Sequence, residues 1–232
     1  MHASGTEGAG MSGCSAYGCG EGGPGGPAPT YDHRLLIAIG ASTGGTEALR
    51  EVLGGLPPGL PPVVITQHMP PGFTRSFAER LDKHSRLHVK EAEHNERLYP
   101  GCAYVAPGHA HLAVRYLPLV GYYANLSEGE PVNRHRPSVE VLFLSVARAA
   151  GPGAVAVMLT GMGKDGARAM LALREAGGYN LVQDEATSVV FGMPREAIAL
   201  GAAHEVVPLS QVAQRLQVAV DVRHRALALT PW

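Results

Sequence analysis

No apolar run in this chain approaches the roughly 18 to 20 residues that a helical membrane span requires, so the sequence carries no such span. Charge of one sign is missing as well. The formal net charge is −1 at pH 7, which leaves no electrostatic case for a nucleic-acid partner. Cysteine is scarce: Cys14 and Cys19 fall near the start, and Cys102 stands alone. That is no disulfide framework, and it suits a reducing compartment, so the expected location is cytoplasmic. The first residues also lack the basic start and apolar core of a secretory signal, and no internal repeat is visible. Glycine fills about a third of residues 1–30, and Pro24, Pro27 and Pro29 close that stretch. Such a segment buries too little apolar surface to offset its ordering entropy. The expectation is a disordered Gly/Pro-rich leader over 1–32 and one folded domain over 33–232, large enough for a substantial core.

Within that domain, apolar strands alternate with amphipathic stretches. The pattern predicts strands near 35–39, 63–67, 103–106, 154–160, 180–183 and 204–207. Helices are expected near 44–53, 73–83, 138–150, 165–176 and 211–223, and the stretch 111–126 reads as an antiparallel hairpin.

The most informative segment is LLIAIGASTGG at 35–45. It reads as a buried strand, a tight turn and the first turn of a helix, with Ser42 at the strand's carboxyl end. Such a position serves phosphate binding or nucleophilic catalysis. The dinucleotide fingerprint G-x-G-x-x-G is not met, because Ser42 stands in place of the second glycine. The next strand ends in Gln67-His68 rather than in an acidic residue, and no lysine follows Gly45 to make a phosphate loop of the G-x-x-x-x-G-K-[ST] type.

A nucleophile requires a base and an orienting group at other strand ends. His68 directly follows the strand at 63–67, and Asp165 lies in the loop GMGKDG after the strand at 154–160. Ser42, His68 and Asp165 are therefore the candidate catalytic residues. Each has a plainer reading alone: Ser42 or Thr43 as a helix cap, His68 as a polar strand end, Asp165 as support for the helix after it. The pair His109/His111 has no cysteine or carboxylate cluster near it in sequence, so no metal site is expected.

The motifs GASTGGTEAL, ITQHMPPGFTRSFAERL, VKEAE, APGHAHL, PVNRHRPSVEVLF, LTGMGKDGA and VVFGMPREAI, in that order, closely resemble the catalytic domain of the chemotaxis protein-glutamate methylesterases, the CheB family. The resemblance runs from about residue 35 to about residue 216. It implies an α/β fold, a doubly wound, mostly parallel sheet flanked by helices in a Rossmann-like three-layer arrangement with a small antiparallel hairpin. It also implies hydrolysis of glutamate γ-methyl esters on the cytoplasmic helices of chemoreceptors, with methanol released, and deamidation of receptor glutamines by the same route. Ser42 matches the family's nucleophile, His68 its base and Asp165 the orienting carboxylate. Met162, through its backbone N–H, matches an oxyanion-hole position, with Thr43 as a second donor. No metal or organic cofactor is implied. Methylated chemoreceptor cytoplasmic domains are the implied partners, with a separate response regulator or array protein as a further class and no membrane insertion.

Arg136 reads either as a contact for acidic receptor helices or as a loop anchor, and Met69, Phe73 and Met193 either as an apolar substrate groove or as core. Many family members carry a phosphorylatable receiver domain where this sequence has its glycine-rich stretch, so phosphorylation control does not carry over. Two other function classes stand beside the main one: a general serine esterase acting on small molecules, and a non-catalytic binding module of a signalling array.

Overall fold

The computed structural model describes residues 31–229. The leader expected over 1–32, apart from its last two residues, and the Cys14/Cys19 pair lie outside them. Seven strands, β1 (Leu36–Ala41), β2 (Val63–Gln67), β3 (His88–Glu91), β4 (Cys102–Val105), β7 (Ala154–Met158), β8 (Tyr179–Gln183) and β9 (Glu205–Val207), form one sheet in the order β3-β4-β2-β1-β7-β8-β9. Every pairing in it is parallel. Strands β5 (His111–Leu117) and β6 (Gly121–Ser127) make a separate antiparallel hairpin.

The continuous apolar runs follow from burial on both faces, which parallel sheets require. Along β1, Ile37, Ile39 and Ala41 join one core cluster, while Leu36 and Ala38 join the other. The first face is covered by α1 (Gly45–Gly55), α2 (Thr74–Asp82) and α6 (Leu209–Ala228), through residues such as Leu49, Phe77 and Leu216. The second is covered by α3 (Val139–Ala150), α4 (Ala167–Glu175), α5 (Met193–Ala199) and the hairpin, through Phe143, Met170, Met193 and Leu112.

The chain leaves β1 toward β2 on one side and later returns to β7 on the other. In an open α/β sheet, ligands collect at such a switch point, outside the carboxyl ends of the strands. Close packing below the rim fixes its shape. A Cβ added at Gly40, near the end of β1, would stand 2.3 Å from Val139 Cγ1 and 3.2 Å from the Phe143 ring, so α3 rests directly on the strand backbone.

The doubly wound sheet and the hairpin agree with the sequence reading, with four differences. Strand β3 went unpredicted because His88-Val89-Lys90-Glu91 is an edge strand with a single buried residue, Val89. Helix α5 has seven residues, too few to establish a helical period. Helix α6 extends beyond the expected 211–223 at both ends. Strand β7 stops at Met158 and α4 starts at Ala167, so residues 159–166 form a loop rather than continuing either element. Gly40→Ala is expected to lower the unfolding free energy by about 1 to 3 kcal/mol through overpacking. Chemical denaturation measures this, and an undiminished value contradicts the seating of α3 on β1.

Candidate active site

Ser42 occupies a tightly held turn. Its N–H donates to the Thr160 carbonyl at 3.0 Å, and its own carbonyl accepts from the Gly45 N–H at 2.7 Å and from Gln67 Nε2 at 3.0 Å. Gly44 has φ of 82°, and a Cβ there would lie 2.6 Å from Val189 Cβ, so only glycine fits. Gly44 is also the cap of α1, which makes no side-chain capping bond. The capping reading of Ser42 and Thr43 therefore fails, and the Ser42 hydroxyl is left for other work. On the far side, a Cβ on Gly161 would meet Ser42 Cβ at 2.8 Å and the Met193 sulfur at 2.4 Å. Backbone thus crosses directly behind the serine.

His68 follows β2 and anchors its own N–H on the Ala41 carbonyl at 3.1 Å. Its Nδ1 lies 3.1 Å from Ser42 Oγ and its Nε2 lies 2.8 Å from Asp165 Oδ2. The three residues taken from three strand ends form one continuous hydrogen-bonded chain. An ionised carboxylate only accepts, so Nε2 carries the ring proton and Nδ1 presents a lone pair to the serine hydroxyl. These ring positions are exchanged relative to the general serine-protease template, in which Nε2 faces the serine.

Asp165 is buried and accepts from five groups. Oδ2 takes His68 Nε2 and the Val139 N–H (2.7 Å). Oδ1 takes Asn133 Nδ2 (2.8 Å), Ser138 Oγ (2.8 Å) and, more weakly, the Glu140 N–H (3.4 Å). The carboxylate faces the first turn of α3, where unpaired N–H groups favour negative charge. Burial pushes its pKa up, but the hydrogen bonds from His68, Asn133 and Ser138 outweigh that and hold it below the usual carboxylate value. Nearby Glu140 accepts from the Gly166 N–H at 3.0 Å, and burial raises its pKa.

His135 stacks on His68 with ring centroids 3.7 Å apart and planes 9° from parallel. Burial, and then the neighbouring imidazole, lower the His135 pKa, so the stacked ring is neutral at neutral pH. Ser42 and Asp165 border a cleft of about 1040 Å³ whose lining also includes Thr43, His135, Met162 and Phe191. Met162 is 71 % exposed. The loop bearing it is tied down by Gly161, whose N–H donates to the Val190 carbonyl and whose carbonyl accepts from Gly192 and Met193. Thr160 Oγ1 holds the Thr43 carbonyl at 2.9 Å. Thr43 and Met162 both line the cleft, and neither N–H makes a hydrogen bond among the described residues. Such an arrangement can deprotonate a serine hydroxyl and hold a developing oxyanion.

Other candidates from the sequence fall elsewhere. Met193 is fully buried beneath Gly161 and belongs to the core, not to a substrate groove. Met69 is half-buried against the core cluster of the first face, whereas Phe73 is exposed. Arg136 turns away to the Glu128 and Gly129 carbonyls at 2.7 and 3.0 Å, which makes it a loop anchor. His111 commits both ring nitrogens to protein, Nε2 to the Glu130 carbonyl and Nδ1 to the Ser138 N–H. Among the described residues no group of three His, Cys, Asp or Glu side chains is arranged to hold a metal. Sequence reasoning missed Gln67, Asn133, His135 and Ser138. The last three lie in Asn133-Arg134-His135-Arg136-Pro137-Ser138, whose arginines drew attention to its charge rather than to its polar side chains.

The profile of the CheB methylesterase family matches residues 37–216, most of the chain. The chain belongs to that family. Among its curated relatives, the protein-glutamate methylesterase/protein-glutamine glutaminase of Paraburkholderia xenovorans is 59 % identical over 83 % of this chain and 54 % of its own length. The protein of the same name from Thiobacillus denitrificans is 61 % identical over 81 % of this chain and 52 % of its own. The chain therefore spans about half the length of these relatives. The crystal structure of the Thermotoga maritima CheB methylesterase catalytic domain is 38 % identical, with a TM-score of 0.77, covering 81 % of this chain and 98 % of that one.

Because the folded pKa of Asp165 lies below its unfolded value of about 3.9, its stabilising contribution is complete above that value and is lost as pH falls through the folded one. Wild-type protein is expected to exceed Asp165→Asn in unfolding free energy at about pH 6, with the gap narrowing toward about pH 3. A gap that stays constant or widens on acidification contradicts an ionised Asp165.

Proposed function

We propose that this chain is a cytoplasmic serine hydrolase that removes methyl groups from glutamate γ-methyl esters on chemoreceptor helices and deamidates receptor glutamines by the same acyl-enzyme route. The observation that carries this reading is the hydrogen-bonded chain Ser42–His68–Asp165 at the switch point of a CheB-family sheet. The names of the relatives support the substrate class.

In this mechanism Ser42 Oγ attacks the ester carbonyl as His68 Nδ1 takes its proton. Asp165 holds the Nε2–H and stabilises the imidazolium that forms. The Thr43 and Met162 N–H groups receive the oxyanion, a role in which one donor is typically worth about 100- to 1000-fold in rate. His68 returns the proton to the departing methoxide, and methanol leaves. Water then attacks the acyl-serine with its proton passing to the same Nδ1, and release yields glutamate and free Ser42. No step calls for a metal or organic cofactor.

The test is methanol release from methyl-labelled chemoreceptor cytoplasmic fragment. Wild-type protein is expected to release methanol and folded Ser42→Ala to lose nearly all of it. Equal release from both proteins overturns the nucleophile assignment. His135 bears on the same chemistry as a positioning residue, because its ring supports one face of the His68 imidazole. His135→Ala is expected to lower kcat by on the order of 10- to 100-fold, the scale set by small misplacements of a reacting group. His135→Phe, which keeps a stacking ring, should recover much of that loss, and equal losses in the two variants contradict a positioning role.

A further inference from the structure

The wall of the cleft carries three cations, Arg134, Lys164 and Arg195, all exposed. The chain neighbours of two of them are bound to, or part of, the Ser42–His68–Asp165 chain. Arg134 sits between Asn133, which is bonded to Asp165, and His135, which is stacked on His68. Lys164 immediately precedes Asp165. Arg195 is presented by the first turn of α5. Two carboxylates share the wall with these three cations. Asp165 is buried with its acceptor sites filled by its own partners, and Glu196 lies 3.4 Å from Arg195, so neither pairs with Arg134 or Lys164. Arg134 and Lys164 make no ion pair among the described residues. A protein with a net charge of −1 thus concentrates unpaired positive charge around its candidate nucleophile.

Nothing in ester hydrolysis itself asks for this. The scissile group is neutral, and an oxyanion is met by the backbone donors at Thr43 and Met162. We infer that Arg134, Lys164 and Arg195 form a recognition rim for free carboxylates that flank the scissile ester on an acidic helix, so that the preferred substrate is a glutamyl methyl ester with ionised glutamates or aspartates about one turn away. The inference rests on the esterase reading and adds the determinant of specificity to it. Residues three and four apart on a helix share a face, so such carboxylates lie on the side that meets the cleft. A chemical consequence follows. Hydrolysis converts a neutral ester and water to methanol, a carboxylate and a proton. Each product carboxylate therefore becomes a recognition element for the remaining ester next to it, and demethylation of a multiply esterified helix favours its own continuation.

Two helical peptides test this, each with one γ-methyl glutamate and either Glu or Gln at the positions three and four residues to each side. With wild-type protein at low salt, kcat/KM is expected to be about five- to tenfold higher for the Glu-flanked peptide, the scale of a few exposed ion pairs. The ratio should shrink toward 1 in about 1 M salt, where the screening length falls to about 3 Å. It should also fall toward 1 in the Arg134→Gln/Lys164→Gln/Arg195→Gln variant. A partly unfolded variant loses rate on both peptides alike, so the ratio remains readable, and Arg195→Gln alone should lower it in part. A wild-type ratio near 1, a ratio insensitive to salt, or one unchanged in the triple variant overturns the rim while leaving the esterase reading intact. Absence of methanol from both peptides with folded wild-type protein overturns both.

Discussion

The buried carboxylate of Asp165 is the constraint on which the site depends. A charge taken out of water is tolerated only if its acceptor capacity is filled, and here five donors from three segments do so: His68 after β2, Asn133 in the loop before α3, and Ser138, Val139 and Glu140 at the start of α3. Each donor is also a positional commitment. The imidazole is held in one tautomer, the loop bearing His135 is drawn over its face, and the first turn of α3 is satisfied by a side chain from the opposite loop. Removing the charge therefore releases several elements at once.

The sheet gives this carboxylate its place. Strands β2, β1 and β7 are adjacent and parallel, so their carboxyl ends deliver His68, Ser42 and the Asp165 loop to one rim. Close backbone packing refines the position. Gly40 admits α3 against β1, Gly44 admits Val189 against the Ser42 turn, and Gly161 admits the Ser42 Cβ itself. A methyl group at any of the three collides with a neighbour, so the site's geometry is held by van der Waals contact as much as by hydrogen bonds. Thr43 and Met162 line the same cleft as Ser42, with no hydrogen bond from either N–H among the described residues.

The central architecture was legible in the sequence because buried parallel strands read as unbroken apolar runs. The runs at 35–39, 63–67 and 154–160 located the strand ends, and with them Ser42, His68 and Asp165. Edge and short elements were not legible, since His88-Val89-Lys90-Glu91 has one buried side chain and α5 is too brief to show a period. The support of the triad was equally hidden. Asn133, His135 and Ser138 reach the site through a loop whose path no local pattern encodes, and Met193 looked like a groove residue because sequence does not distinguish an apolar wall from a core. The exchange of ring nitrogens on His68 depends on where Ser42 and Asp165 stand about the imidazole, a tertiary property.

That exchange offers the most direct test of the central claim, which is that Asp165 fixes His68 with its proton on Nε2 and its lone pair on Nδ1 facing Ser42. The measurement is the ¹H–¹⁵N NMR spectrum of the His68 imidazole at neutral pH, assigned by comparison with His68→Gln. The expected spectrum shows an Nε2-bound proton shifted downfield by its bond to the carboxylate and an unprotonated Nδ1. A neutral ring with its proton on Nδ1 contradicts the claim, because the lone pair of such a ring lies on Nε2 and the nitrogen facing Ser42 cannot accept its proton.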